Sequence, residues 1–108
     1  MAREWDVIDG YFEADARGDT DAVVRLFVED AVVLDEDQTW RGLDEIRAWR
    51  EGPAAQYEYT TEVFDTTAAG EHEYLVTGRL EGNFPGGAAD VTWRFTVLGD
   101  RIARLHIS

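Results

Sequence analysis

A phenol and two carboxylates stand within one short stretch of this chain: Tyr11, Asp15 and Asp35, in residues 11–35, YFEADARGDTDAVVRLFVEDAVVLD. A carboxylate held among apolar groups is poorly solvated and accepts a proton more readily than one in water. A phenol is a neutral donor whose hydrogen bond strengthens as charge develops on its acceptor. A base and an oxyanion donor together are the minimum for enolisation. Asp15 lies four residues after Tyr11 and three after Phe12, so it points from the apolar stripe of a helix. A buried carboxylate is costly unless paired or hydrogen-bonded. Its position therefore leaves two readings: a polar cavity beside the stripe, or a frayed last turn that reaches solvent.

The elements that must position these groups follow from periodicity. Residues 3–17 have helical spacing, with Trp5, Ile8 and Phe12 on one stripe, Tyr11 at its edge, and Arg3, Asp6, Asp9 and Glu13 away from it. Gly18 is suited to a left-handed stop, and Asp19 or Thr20 to capping a second helix through Ala22, Val23, Leu26 and Phe27. AVVLDED, from Ala31, reads as a strand that puts Ala31, Val33 and Asp35 on one face. A third helix starts at Gly42, turns Ile46 and Trp49 inward, and ends at Gly52-Pro53. Gln38 to Trp40 reads as a short extended piece before it.

Four long strands follow, over about 57–68, 72–82, 89–98 and 101–108, broken by turn-forming sequence. Alternation gives inward sets of Tyr57, Tyr59, Thr61 and Val63; Tyr74, Val76 and Leu80; Val91, Trp93, Phe95 and Val97; and Ala103, Leu105 and Ile107. Thr77, Arg79, Thr92, Arg94, Thr96, Arg104 and His106 face the other way. Helices followed by a long meander specify an α+β fold, with three N-terminal helices packed in a strongly curved antiparallel sheet. The open end of such a cone forms a central pocket. FPGG is expected to rim it.

Composition narrows the partners. The 108 residues suffice for a single domain, 1–108, and 44% of them are hydrophobic, which is a globular composition. Ten basic against 23 acidic residues give a net charge of -13, a field that repels nucleic acid and anionic membranes. There is no cysteine, which excludes disulfides and thiolate nucleophiles. Neither a leader-like start nor a run of membrane-spanning length is evident, so a cytoplasmic protein is the expectation. No histidine–carboxylate spacing makes a metal site, no phosphate loop is present, and no cofactor is expected.

The run YFEADARGDTDAVVRLFVEDAVVLD, then WRGLDEIRAW, and the closing GDRIARLHI resemble the nuclear transport factor two-like superfamily, in its SnoaL-like and ketosteroid isomerase-like branch. The resemblance spans nearly the whole chain, through motifs that specify fold rather than reaction. It implies roles for two residues. In delta-5-3-ketosteroid isomerases a first-helix Tyr donates to the substrate oxyanion and a first-strand Asp moves the proton. Tyr11 and Asp35 match those positions.

Three departures separate this chain from those isomerases. They add a protonated Asp as second oxyanion donor, where this chain has Val91 and Trp93, with Asp90 out of phase. Their supporting tyrosines are matched by Phe27 and Arg50. Asp15 stands where they have an apolar wall. Steroid isomerisation itself is therefore not expected. Epoxide hydrolases and polyketide cyclases of the superfamily similarly place acids in this cavity, although the Asp-Arg-Asp set of limonene epoxide hydrolases finds no aligned counterpart.

The candidate constellation is Tyr11, Asp15 and Asp35 for catalysis, facing Tyr57, Tyr59 and Trp93, with Trp40 near the mouth as a further ligand contact. Two carboxylates in one apolar cone would divide into an acid and a base. The leading expectation is a small-molecule isomerase, cyclase or hydrolase without cofactor. The alternatives are a ligand-binding module that uses the same pocket, and a dimeric scaffold with a filled core. The superfamily resemblance also implies a homodimer through the outer sheet face.

Overall fold

Helical spacing at the start of the chain forms α1, Glu4–Arg17, but its buried stripe is turned from the expected one. Val7, Ile8, Tyr11 and Ala14 are buried, while Trp5 is 40% exposed. Trp5 instead lays its ring edge-on against Tyr74, 4.8 Å between centroids. The Tyr74 hydroxyl donates to Glu4, and this bond docks the first turn of the helix onto the sheet. The computed structural model describes residues 4–108, so Arg3 lies outside the described residues.

Gly18, at φ 64°, ends the helix in the left-handed region that a glycine adopts without steric cost. The Asp19 side chain then accepts from the Ala22 amide and caps α2, Thr20–Arg25. This second helix is shorter than expected. Leu26 is its C-cap, and Phe27 already opens β1, Phe27–Asp35.

The strand expected through Asp37 stops at Asp35. Glu36 and Asp37 both have positive φ, 52° and 64°, and form the two-residue turn to β2, Gln38–Arg41. A turn with two left-handed central residues matches the twist of a hairpin. α3, Gly42–Glu51, follows, then a single 3-10 turn, Pro53–Ala55. The remaining strands are β3 (Tyr59–Ala68), β4 (Glu73–Gly82), β5 (Ala88–Leu98) and β6 (Arg101–Ile107). Together they make an α+β fold with one six-stranded sheet in the order β2-β1-β6-β5-β4-β3. Every pairing is antiparallel except β1 with β6.

Besides a register shift between Phe27 and Val32 where β1 pairs with β6, two further irregularities interrupt the sheet. The β3–β4 register shifts between Val63 and Asp65, leaving Phe64 as the extra residue. Such a bulge bends its strand and increases local twist. Val63 precedes the bulge and keeps the side of Tyr59 and Thr61, lining a groove with Ile8 and Phe12 of α1, yet it is 42% exposed, and Phe64 is 55% exposed. A second shift lies between Thr96 and Val97, where Ile102 pairs with Val97 and Arg104 with Thr96. Ala103 is thus the bulged residue, and Ile102 takes the buried position expected for it.

The inner face of the sheet, with Val33, Val76, Phe95, Val97 and Leu105, packs on the helices through Ile8, Tyr11, Ile46 and Trp49 to form one core. Curvature is strongest where β3 crosses β4. A Cβ on Gly78 would run into the Glu62 carbonyl oxygen and crowd the Trp93 ring, and one on Gly82 would meet the Glu58 carbonyl oxygen. Only glycine lets these backbones approach so closely.

The close approach at Gly78 gives a direct test. Gly78→Ala must push either the β3 backbone or Trp93 aside. We expect a loss of about 1–3 kcal/mol, the usual cost of overpacking a closed interior. Thermal unfolding measures it, and an unchanged midpoint would mean that the curvature does not depend on this contact.

Candidate active site

The three helices fill one end of the curved sheet and leave the other open as a cavity of about 900 Å³. Its floor is built from Tyr11 and Asp15 of α1, Asp35 of β1, and Trp49 and Arg50 of α3. Tyr59 and Trp93 form the wall. The exposed residues Glu36, Asp37, Tyr57 and Asp90 mark the mouth, with Phe84 and Pro85 of the FPGG loop on its rim.

Tyr11 and Asp35 therefore reach one cavity, although 24 positions separate them in the chain. Tyr11 is 2% exposed, with its ring set edge-on against Phe12, Phe27 and Phe95. Its hydroxyl has no hydrogen-bond partner among the described residues and lies in the fields of Asp15, Arg50, Tyr59 and Asp35. Burial raises its pKa well above that of a free phenol, and the negative charge of Asp15 adds to the effect. The group is a neutral donor throughout the physiological range.

The Asp35 carboxylate is fixed in a different way. The indole N–H of Trp49, which is fully buried, donates to its Oδ2 at 3.0 Å. Its Oδ1 takes no hydrogen bond among the described residues. One oxygen is thus an anchor, while the other remains available to a ligand.

Asp15 lies at the polar cavity foreseen by one of its two readings, not in solvent. Its role differs from that of a free carboxylate. Arg50 places Nη1 2.8 Å from Asp15 Oδ1, with both side chains less than a tenth exposed. The Tyr59 hydroxyl donates to the same oxygen at 3.0 Å. With a guanidinium beside Asp15, the division into acid and base expected from like-charge repulsion between Asp15 and Asp35 loses its basis.

Burial alone would lower the pKa of Arg50, but the nearby Tyr11 phenol and the Asp15 carboxylate, which also accepts its hydrogen bond, outweigh burial and raise the value above that of a free guanidinium. Arg50 also packs over the Trp49 ring, 5.4 Å from its centroid. Burial, then Asp15, pushes the Tyr59 phenol up to about 12.

Arg50 is the candidate site residue that the resemblance accounts for only as a replaced tyrosine. A sequence signal existed, since Arg50 directly follows Trp49 on the inward side of α3, one position off the expected stripe. Arg50, Asp15 and the nearby Asp35 also bring together an arginine and two aspartates that share no contiguous motif. Trp40 takes no part in the lining. The turn at Glu36–Asp37 sets it opposite Val33, away from the mouth, where it packs half-buried against the core. Tyr57 precedes β3 rather than joining it, and reaches only the rim. His106 is exposed on the outer face, although the end of its strand also touches the rim.

The SnoaL-like domain model matches residues 8–105. The chain belongs to the SnoaL-like family. Among solved structures, a candidate polyketide cyclase from Sinorhizobium meliloti is 34% identical, superposes with a TM-score of 0.89, and aligns over 99% of this chain and 100% of its own. SalBIII, an epoxide hydrolase/cyclase-like enzyme of pyran ring formation in salinomycin, is 20% identical over 96% and 88% of the two chains, with a TM-score of 0.83. A protein of ketosteroid isomerase-like fold from Catenulispora acidiphila DSM 44928, in complex with trimethylamine, is 17% identical over 94% and 83%, also at 0.83. A search of curated proteins finds no match. Among the described residues no cluster of three or more metal-ligating side chains occurs, and no helix is long and apolar enough to cross a membrane.

Two measurements probe this SnoaL-like site. Asp15→Ala leaves a buried guanidinium unpaired and should cost about 3–5 kcal/mol of stability, whereas the double replacement Asp15→Leu with Arg50→Met should cost clearly less. Equal losses in urea unfolding would argue that the pair is solvated. Tyr59, raised from an ordinary 10.0 to about 12, favours the folded state while protonated. Its contribution is complete below pH 10 and is lost as pH rises through 12, where the unfolded chain holds fewer protons than the folded one. Phenolate absorbance should therefore show late-titrating tyrosines, Tyr11 among them, and one fewer in Tyr59→Phe.

Proposed function

We propose that this SnoaL-like protein is an acid/base enzyme, an isomerase, cyclase or hydrolase, that acts on a small and largely apolar metabolite. One observation carries the reading: a carboxylate anchored on one oxygen and a buried, unpartnered phenol share a cavity large enough for such a molecule.

Asp35 is the base. Its Trp49-bound oxygen fixes the carboxylate plane, and the other oxygen takes a proton from a carbon acid, a hydroxyl or a positioned water. Tyr11 donates to the substrate oxygen that gains negative charge. Arg50 stands behind that oxygen as a fixed positive charge. Asp15 and Tyr59 hold the guanidinium in place, so Asp15 is assigned to positioning rather than to proton transfer. The likeness to a candidate polyketide cyclase at 34% identity supports the cyclase arm of this reading.

The outer face of the sheet is our proposed homodimer contact. Exposed Arg79, Arg94 and Arg104 stand there among half-buried threonines, with Leu98 51% exposed beside them. Light scattering should return a dimer mass that Leu98→Asp with Thr96→Asp converts to a monomer.

Catalysis is tested with a panel of small ketones and epoxides in deuterated water, scored for deuterium uptake beside the carbonyl and for ring opening. Asp35→Asn should lower the rate on the best member by about 10²–10⁴-fold. Tyr11→Phe should lower it by about 10²-fold. A wild type inert to the whole panel, or an Asp35→Asn variant as active as wild type, would return the cavity to binding alone.

A further inference from the structure

The charges around the mouth are unbalanced in a way that selects among ligands. Five acidic side chains reach the cavity wall: Asp15, Asp35, Glu36, Asp37 and Asp90. Asp15 is matched by Arg50, and Asp90 by Arg79, whose Nε lies 3.1 Å from its Oδ1. Asp35, Glu36 and Asp37 have no cationic partner among the described residues. They are consecutive: Asp35 stands on the floor, and the hairpin turn after it presents Glu36 and Asp37 as one lip of the opening.

The facing lip is aromatic. Tyr57 and Phe84 meet edge to face with centroids 6.2 Å apart, and both line the cavity. Aromatic faces attract cations through their quadrupole, and carboxylates do so directly. An anion entering between these lips would meet like charge; Arg50, on the floor below, is already matched by Asp15, although its Nε has no hydrogen-bond partner among the described residues, and the net charge of the chain is -13. A second observation places a ligand there independently of charge. The Tyr11 hydroxyl, on a side chain 2% exposed at the cavity floor, has no acceptor among the described residues, so it calls for an oxygen on the bound molecule.

We infer that the ligand of this cavity is a cation: an alkylammonium or protonated amine seated between the Glu36–Asp37 lip, with Asp35 below it, and the Tyr57–Phe84 lip, with an oxygen function directed at Tyr11. The inference rests on the reading that this cavity is the binding site, and it names the substrate class. It also disfavours substrates delivered as carboxylates, phosphates or thioesters of anionic carriers, because their charged ends would occupy the acidic mouth.

The test compares two probes of the same shape, choline and its uncharged isostere 3,3-dimethylbutan-1-ol. Binding is followed by NMR through the indole N–H of Trp49, which reports on Asp35. Choline should bind about 10-fold more tightly than the alcohol. The advantage should shrink to about 2-fold or less in the double variant Glu36→Gln with Asp37→Asn, both exposed positions whose replacement leaves the core intact. Equal affinities, an advantage that survives the double variant, or no choline binding at 10 mM would each overturn the inference. Its failure is separable from that of the catalytic reading. Turnover of neutral substrates by an enzyme indifferent to choline sinks only the charge preference. Choline selectivity with an inert Asp35 sinks only the catalysis.

Discussion

A guanidinium that is 7% exposed must be neutralised to be tolerated, and the way Arg50 meets that demand, with Nη1 on Asp15 while its Nε keeps no partner, organises the floor of this fold. Its partner Asp15 comes from α1, its aromatic cover Trp49 from its own helix, and the phenol that shares the carboxylate from β3. Three elements distant in sequence are thereby tied at one point. Ion pairs at this depth seldom stabilise more than a well-packed apolar replacement would, because desolvating both charges offsets most of their attraction. The arrangement supplies instead a fixed positive charge beside a buried phenol. It is better understood as preorganisation of a site than as a contribution to stability.

The cavity exists because the sheet bends away from the helices it covers. A flat sheet would close on α1 and α3 and fill the space with side chains. The Phe64 bulge, together with Gly78 and Gly82, lets β3 coil over β4. The wall at Tyr59 and Trp93 then stands clear of Asp35 while Phe95 and Val97, farther along β5, remain sealed in the core. A single strand therefore serves packing at one end and recognition at the other.

Within the cavity the two carboxylates are distinguished by their hydrogen-bond partners and not by their position along the chain. Asp15 accepts from a cation and a phenol on one oxygen, which commits it to the floor. Asp35 accepts from one neutral indole and keeps an oxygen for a visitor. The proposed roles rest on that asymmetry, with Asp15 orienting its guanidinium and Asp35 proposed as the base.

The amino-acid sequence by itself determined the α+β class, the three helices and the shared face of Val33 and Asp35, because each rests on local periodicity or turn chemistry, and it left Asp15 open between a polar cavity and solvent. Its alternation failed where an extra residue entered a strand. Ala103 lies at such a point, and a bulge is a compromise between two strands that neither strand encodes alone. The end of β1 was misplaced for a related reason, since Glu36 and Asp37 carry no glycine or asparagine to announce a left-handed turn. Only the tertiary structure decided that Arg50 faces Asp15, that Trp49 anchors Asp35, and that Trp40 is core rather than mouth. Those contacts span 35, 14 and 7 positions of chain and depend on how α3 settles against α1 and β1. No local pattern measures that docking, because it is fixed by the packing of the whole core.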